Sequence, residues 1–320
     1  VTRPVVLLLA ALAIALPLSL LAGRVWINPF DPHTQNAAVI LLQLRLPRAV
    51  LAVVVGAGLG SAGAAMQGYL RNPLADPGLF GVAPGAALGA VLSFWTGYAA
   101  SAYLLPVFAL IGAGGAMALL ALIAGRDAGV ALFTMAGLMI SSLAGALMSL
   151  AISLSPTPFA MSEIVTWLMG ALADRSWREV WIAAPLTLLG IALLAAARTS
   201  LDALTLGEAA ARSLGVEPRR LQALLVAGIG LTVGASVAVA GIIGFVGLIV
   251  PHLMRPLTDR RPSSLIVPSA LAGALLLLVA DVLCRLLPLA GGELRLGIAL
   301  SLIGAPFFLH LLLKMRRGLA

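Results

Sequence analysis

Ten apolar runs follow one another along this chain, at about residues 4–24, 48–69, 82–99, 103–124, 129–151, 178–197, 221–241, 243–257, 265–287 and 296–313. A helix needs about 20 mainly apolar residues to cross the hydrocarbon core of a bilayer. Within lipid, every backbone polar group must also find its partner inside the chain. Ten such runs therefore predict an all-α membrane protein with about ten transmembrane helices, and the connectors leave no room for a soluble domain of ordinary size. Composition agrees, with 61% hydrophobic and 10% charged residues, where soluble chains carry about a quarter charged. The run from Pro4 to Gly23 follows Arg3 as a signal peptide's would, yet it is long for one and nine more follow, so it reads as a span. The eighth run is short and holds Pro251, an irregularity tolerated only where neighbouring helices or a water-filled cavity satisfy the freed groups. Residues 158–174 carry Glu163 between Pro156 and Pro158 on one side and Asp174 and Arg175 on the other, and read as a short helix at the membrane surface.

Charge sets the expected orientation. The net charge is +8, and in a chain of many spans such an excess marks the cytoplasmic loops. With an even number of spans, 13 of the 20 basic residues fall on the side of both termini, so both termini are expected in the cytoplasm. No basic stretch is interleaved with aromatics, which argues against nucleic acid as a partner. The single Cys284 excludes an internal disulfide and speaks against a thiolate cluster.

Several chemistries are missing. The lone lysine, Lys314, is followed by Met315, so there is no phosphate-cradling loop ending in Gly-Lys-Ser/Thr and the chain cannot hydrolyse nucleotide by that route. No Gly-x-Ser-x-Gly elbow occurs around Ser61 or Ser236. His33, His252 and His310 lie far apart without a His-Glu-x-x-His pattern, so no metal site is expected, and His252 reads first as a hydrogen-bonded interior histidine. Ionisable residues inside spans, which a proton or ion relay needs, are few. Asp281 and Arg285 stand four apart on one helix face, a spacing that permits an ion pair or leaves Arg285 free to reach a partner.

Two local patterns stand out. Glycines are dense in the second span (Gly56, Gly58, Gly60, Gly63) and around the seventh and eighth (Gly228, Gly230, Gly234, Gly241, Gly244, Gly247), which reads first as close helix packing in lipid and second as a lining for a bulky solute to slide past. Between the sixth and seventh spans, Thr205-Leu206-Gly207-Glu208 fits a capping box, with Gly215 as helix stop and Pro218 beyond it. The expected helix, Leu206 to Leu214, carries Leu206, Ala210 and Leu214 on one side. From spacing alone it need do no more than connect two spans.

The strings Arg45-Leu-Pro-Arg48, Gly63-Ala-Ala-Met-Gln67, Asn72-Pro-Leu-Ala-Asp-Pro-Gly78, Leu206-Gly-Glu-Ala-Ala-Ala-Arg-Ser-Leu-Gly215 and Gly244-Phe-Val-Gly-Leu-Ile-Val-Pro-His252 resemble, in order, those of the FecCD-type permease subunits of bacterial ABC importers. The resemblance runs from about residue 24 to 313. It implies a type II ABC importer-like permease fold and a single transmembrane permease domain over 1–320 in the bacterial inner membrane. The subunit is then a homodimer partner around a central path, joined by two cytoplasmic ABC ATPase subunits and a periplasmic substrate-binding protein. It is not itself an enzyme and binds no cofactor, ATP and Mg residing on the ATPase.

The same resemblance assigns residues. Leu206, Gly207, Glu208, Ala209, Ala210, Arg212, Leu214 and Gly215, near 205–215, match the cytoplasmic coupling helix that enters the ATPase. Arg45, Arg48 and Arg285 match basic positions that pair with acids on the binding protein. Asn72, Pro73 and Leu74 match the loop narrowing the path at its cytoplasmic end. Arg295 departs from the pattern, standing where the family usually has Pro. The cargo is expected to be an iron chelate: a cavity lined by Gly, Ala, Ser and Met ranks haem or a siderophore complex above cobalamin. The alternative class is an ion-coupled secondary transporter, and an intramembrane enzyme needs a converging nucleophile and base that the sequence does not supply.

Overall fold

The computed structural model describes residues 3–23, 37–98, 101, 103–125, 129–155, 157–287 and 292–319. Arg24, His33, Arg126, Pro156 and both chain ends, on which some of the expectations rest, lie outside the described residues. The described chain is mostly helical. Eight helices are long and apolar enough to cross a membrane: α1 (Arg3–Leu21), α2 (Ala37–Leu70), α4 (Leu104–Ala124), α5 (Val130–Ser153), α7 (Trp177–Ala196), α10 (Pro218–Ala240), α12 (Pro262–Leu286) and α13 (starting at Leu296). Two shorter apolar helices, α3 (Val82–Trp95) and α11 (Val246–Met254), complete the ten expected positions. Between them lie α6 (Pro158–Leu168), α8 (Arg198–Leu204) and α9 (Glu208–Ser213). Large side chains face outward from many of these helices, among them Leu7, Ile14, Ile111, Leu122 and Trp181, as a lipid-facing wall requires.

The helix α2 starts well before the expected residue 48. Pro47 carries no N–H and crowds the preceding turn, and the helix absorbs it by widening into a π turn over Ile40–Arg45, where the Leu46 amide reaches back to the Leu41 carbonyl. The Leu42 carbonyl, which Pro47 cannot serve, accepts the Trp177 indole N–H at 3.0 Å. The proline thus bends hydrogen bonding rather than ending the helix.

Close approach holds the centre together. A Cβ on Gly56 would lie 2.2 Å from the Gly273 carbonyl oxygen of α12, and one on Gly63 would lie 1.9 Å from that of Gly247 in α11. Only glycine lets these backbones meet, which is how helices gain packing energy where no hydrophobic force separates side chain from solvent. Just before α11 the backbone unwinds over residues 241–245. It is packed against protein: a Cβ on Gly170 would lie 2.3 Å, and one on Gly297 2.6 Å, from the Ile242 carbonyl oxygen, and Gly241 and Ile243 are buried. Irregular backbone at this depth is stable when it is buried in this way.

Candidate functional site

Three groups of singled-out residues lie at the two ends of the bundle. From Arg48 to Gln67 the helix α2 runs through about 28 Å at 1.5 Å per residue, so Arg48 marks one end. Asn72 and Glu208 share the other, where Arg71 and Thr205 line one cavity.

At the Glu208 end the capping box does not form. Gly207, at φ 103°, takes the N-cap position of α9 and no side chain caps it. The Thr205 hydroxyl donates to the Asp202 carbonyl at 2.7 Å instead. Glu208 turns away from its own helix, and its Oε1 accepts from the Val130 N–H at 3.1 Å, capping the start of α5. The helix is also shorter than expected, covering Glu208–Ser213 rather than Leu206 to Leu214. Its stop is as expected. Gly215 sits at φ 85°, its amide bonds Arg212 and that of Val216 bonds Ala211, at 2.9 and 3.0 Å, the paired closure of a Schellman motif. Ala211 is buried against the body and Ala210 half-buried, whereas Leu206, Ala209, Arg212 and Leu214 are exposed. Leu206 and Leu214 are 68% and 65% exposed, so the two largest apolar groups of this element project away from the protein.

At the other end, Arg45, Arg48 and Arg285 are not a row of free surface cations. Arg48 is bidentate on Asp281, with Nε 3.0 Å from Oδ2 and Nη2 2.9 Å from Oδ1, and its Nη2 also meets Glu293 Oε2 at 2.6 Å. Arg285 forms the i,i+4 pair with Asp281 at 3.2 Å and is only 5% exposed. Arg45 donates to the Leu20 and Leu21 carbonyls at 2.8 and 2.9 Å, and Arg285 to that of Ala22 at 3.3 Å, so both satisfy the end of α1. Carbonyls at a helix C-terminus have no partner within the helix, and cations there also meet the negative end of its dipole. Arg45, Arg48 and Arg285 border a cavity of about 610 Å³, together with Arg175, Asp174 and Glu293. Burial lowers the pKa of Arg175, and its Nε is buried without a partner. Arg295 stands beside it, in the turn where Gly292 adopts φ 115°.

The Asn72-Pro73-Leu74 loop breaks as its proline predicts. The helix ends at Leu70, Arg71 takes the left-handed conformation at φ 50°, and Asn72 N–H returns to the Gln67 carbonyl at 3.2 Å. Asn72 Oδ1 accepts from the Leu74 amide at 2.9 Å, closing an Asx turn. Asp76 then caps the short 3-10 turn Pro77–Phe80 through the Gly78 amide at 2.8 Å. Burial pushes the Asp76 carboxyl above its ordinary value, and the Gly78 amide offsets only part of this.

His252 differs from expectation. Its ring meets Phe307 edge-on with centroids 5.8 Å apart, and Nδ1 is buried without a hydrogen-bond partner. Among the described residues no three His, Cys, Asp or Glu side chains gather closely enough to hold a metal ion.

With this geometry in place, comparison with known proteins is direct. The sequence profile of the FecCD transport family matches residues 8–314. The vitamin B12 import system permease protein BtuC of Escherichia coli O9:H4 (strain HS) is 39% identical over 308 residues, which span 95% of this chain and 93% of that protein. The protein of the same name from Citrobacter koseri is 38% identical over 308 residues, with 95% and 92% covered. A solved structure of an inward-facing conformation of an ABC transporter, assigned to the metal-chelate type, superposes with a TM-score of 0.88 at 34% identity. It covers 97% of this chain and 98% of its own.

Proposed function

The chain belongs to the FecCD transport family and is a permease subunit of a type II ABC importer, a multi-pass protein of the inner membrane, and from that premise we propose how it works and what it carries. Two copies enclose a path for a metal chelate. Both termini and α9 face the cytoplasm, where α9 with Leu206 and Leu214 enters one of two ATPase subunits. The docking face for a periplasmic binding protein is the Arg48 end, and Asn72, Pro73 and Leu74 narrow the path at the other. The cargo is a chelate of the vitamin B12 class, a reading supported by the 39% identity to vitamin B12 import permeases; it ranks cobalamin ahead of haem and siderophore complexes, the reverse of the order suggested by composition.

The observation that carries the coupling assignment is the bond from Val130 N–H to Glu208. An ATPase can bias a permease only through contacts that differ between its states. An exposed helix tied at its first residue to the start of a 24-residue apolar helix passes such a bias into the bundle as a rigid body. Docking at the other end needs an acid to reach Arg45, Arg48 and Arg285 through the cavity beside them, which four arginines and two carboxylates line. The test is uptake into proteoliposomes holding the permease, its ATPase and its loaded binding protein. Cobalamin accumulation that requires ATP supports the reading. Accumulation of haem or a ferric siderophore instead replaces the cargo, and uptake driven by an ion gradient without any ATPase overturns the class.

A further inference from the structure

A cavity of about 180 Å³ opens at the Glu208 end, between the end of α2, the turn after α11 and the start of α12. Arg71, Arg255 and Arg260 line it with Gln67 and Thr205, and no lining residue is acidic. The neighbouring carboxylates are engaged elsewhere. Asp202 accepts from the Ser263 amide at 2.9 Å, and Asp259 binds the Ser264 hydroxyl and Arg261. Among the described residues, none of the three arginines is in an ion pair. Arg255 is held in place by its Nη2 bond to Gln67 Oε1 at 3.1 Å, while its Nε is buried without a partner. Gln67 in turn is anchored on the Gly247 and Leu248 carbonyls, at 3.4 and 3.3 Å. Arg71 and Arg260 both occupy left-handed backbone, at φ 50° and 64°, a region that residues with a Cβ seldom adopt.

Three like charges around one small space repel one another unless an anion joins them. Guanidinium forks match the oxygens of phosphate and carboxylate. A carboxylate offers two oxygens on a flat group, whereas a phosphate is tetrahedral and turns its oxygens in different directions toward three forks, with two unesterified oxygens in a lipid phosphodiester and more in free phosphate. From this lining we propose that the cavity is a phosphate-binding site, taking the phosphate of an anionic lipid headgroup or of a free phosphate. Basic pockets between the ends of transmembrane helices are suited to the former. Because Asn72 follows Arg71 directly, an occupied site also fixes the turn that leads into the Asn72–Leu74 loop. The site rests on the fold alone and stands whatever the cargo.

The test uses the full chain in mixed phosphatidylcholine and phosphatidylglycerol vesicles, with retained lipid counted by native mass spectrometry after extraction. A second arm titrates inorganic phosphate in detergent. Wild-type protein is expected to retain phosphatidylglycerol over phosphatidylcholine, and Arg71→Gln with Arg260→Gln to weaken that preference about tenfold or more. Inorganic phosphate binding that depends on the same two residues, without lipid preference, identifies the free anion as the ligand and also supports the site. The control removes two charges outside the cavity, by Arg198→Gln with Arg220→Gln. Equal loss in the control means a diffuse surface-charge effect and overturns the proposal, as does the absence of both lipid preference and phosphate binding, which leaves the arginines to an acidic protein partner. Arg71→Lys with Arg260→Lys guards against misfolding: it keeps the charge and is expected to retain intermediate binding.

Discussion

Glu208 Oε1 and the Val130 N–H are 3.1 Å apart, joining the first residue of α9 to the first of α5 across 78 positions of sequence. Removing a helix cap costs roughly 1 kcal/mol, a small part of total stability but enough to loosen one contact. Glu208→Ala should therefore fold and yet lower the cargo moved per ATP hydrolysed several-fold, whereas Glu208→Gln, which keeps an acceptor oxygen, should stay near wild type. Equal transport stoichiometry in both variants and the parent, measured in proteoliposomes, removes Glu208 from the coupling route.

Packing at α2 gives a second expectation. A methyl group on Gly63 meets the Gly247 backbone at 1.9 Å, and no rotamer can relieve a clash with main chain. By contrast a Cβ on Gly114, in α4, meets nothing within 4 Å. Gly63→Ala is expected to cost more than the 1–3 kcal/mol or so typical of overpacking and to abolish recovery of folded protein. Gly114→Ala should be recovered like the parent, with a melting temperature equal or slightly higher, since alanine favours helix by about 1 kcal/mol. Size-exclusion yield and thermal unfolding of the pair check both halves.

Asp281 is the hub of the opposite end, accepting from Arg48 and pairing with Arg285 while only 1% exposed. Removing one partner of a buried charge group leaves the others uncompensated, at a cost of about 3–5 kcal/mol. Asp281→Ala should lower the melting temperature sharply. Charge reversal of Arg45, the most peripheral of the three arginines, should mainly weaken capture of the binding protein, and more so at low salt. A stable Asp281→Ala variant would show that the cluster relaxes by admitting water.

These contrasts explain which features were legible in the sequence. The ten apolar positions could be read because hydrophobic length is a local property, and so could the stop at Gly215 and the break at Asn72-Pro73. The same Ser/Thr-x-x-Glu pattern occurs twice with different outcomes. Ser176 and Glu179 form a complete capping box at the start of α7, while at Thr205 to Glu208 the intervening Gly207 swings to positive φ and frees Glu208 for a distant amide. Pattern alone does not distinguish them, since the competing partner is brought near only by the fold. Likewise Asp281 and Arg285 pair by spacing, but Arg48 comes from 233 residues away. The docking reading of the three arginines therefore missed that Arg45 and Arg285 also hold the end of α1 and that Arg48 is engaged by Asp281 and Glu293.

Asp76 supplies a pH dependence. Its folded-state pKa is raised by burial, so the native state holds this proton more tightly than the unfolded chain does. Stability from this group is then greatest at low pH and falls as pH rises from the ordinary carboxylate value through the raised one. Asp76→Asn keeps an oxygen for the Gly78 amide and removes the buried charge. It should flatten that slope and be equal to or more stable than the parent at neutral pH. Thermal unfolding between pH 4 and 8, relative to the parent, decides; a variant less stable than wild type across the range contradicts this account of the carboxylate.

The last expectation concerns Leu74. Its amide is tied to Asn72 Oδ1, Asn72 returns to Gln67, and Asp76 caps the turn that follows, so three consecutive turns leave this loop little backbone freedom to lose on closing. A loop stiffened in this way can narrow a path with few residues, because the conformational entropy lost on ordering has already been removed by its own hydrogen bonds. Around a two-fold axis, each subunit presents the same loop, and Leu74 should then approach its counterpart in at least one state of the transport cycle. The measurement is crosslinking of Leu74→Cys in a Cys284→Ala background, with a short bifunctional reagent, with and without nucleotide. Cys284 is buried at 3% exposure, so its removal should alter reactivity little and stability only modestly. Crosslinking confined to one nucleotide state assigns Leu74 to a moving gate. Crosslinking equal in all states makes the loop a fixed constriction, and none in any state, while a control pair across the same dimer interface reacts, places the gate elsewhere along the path.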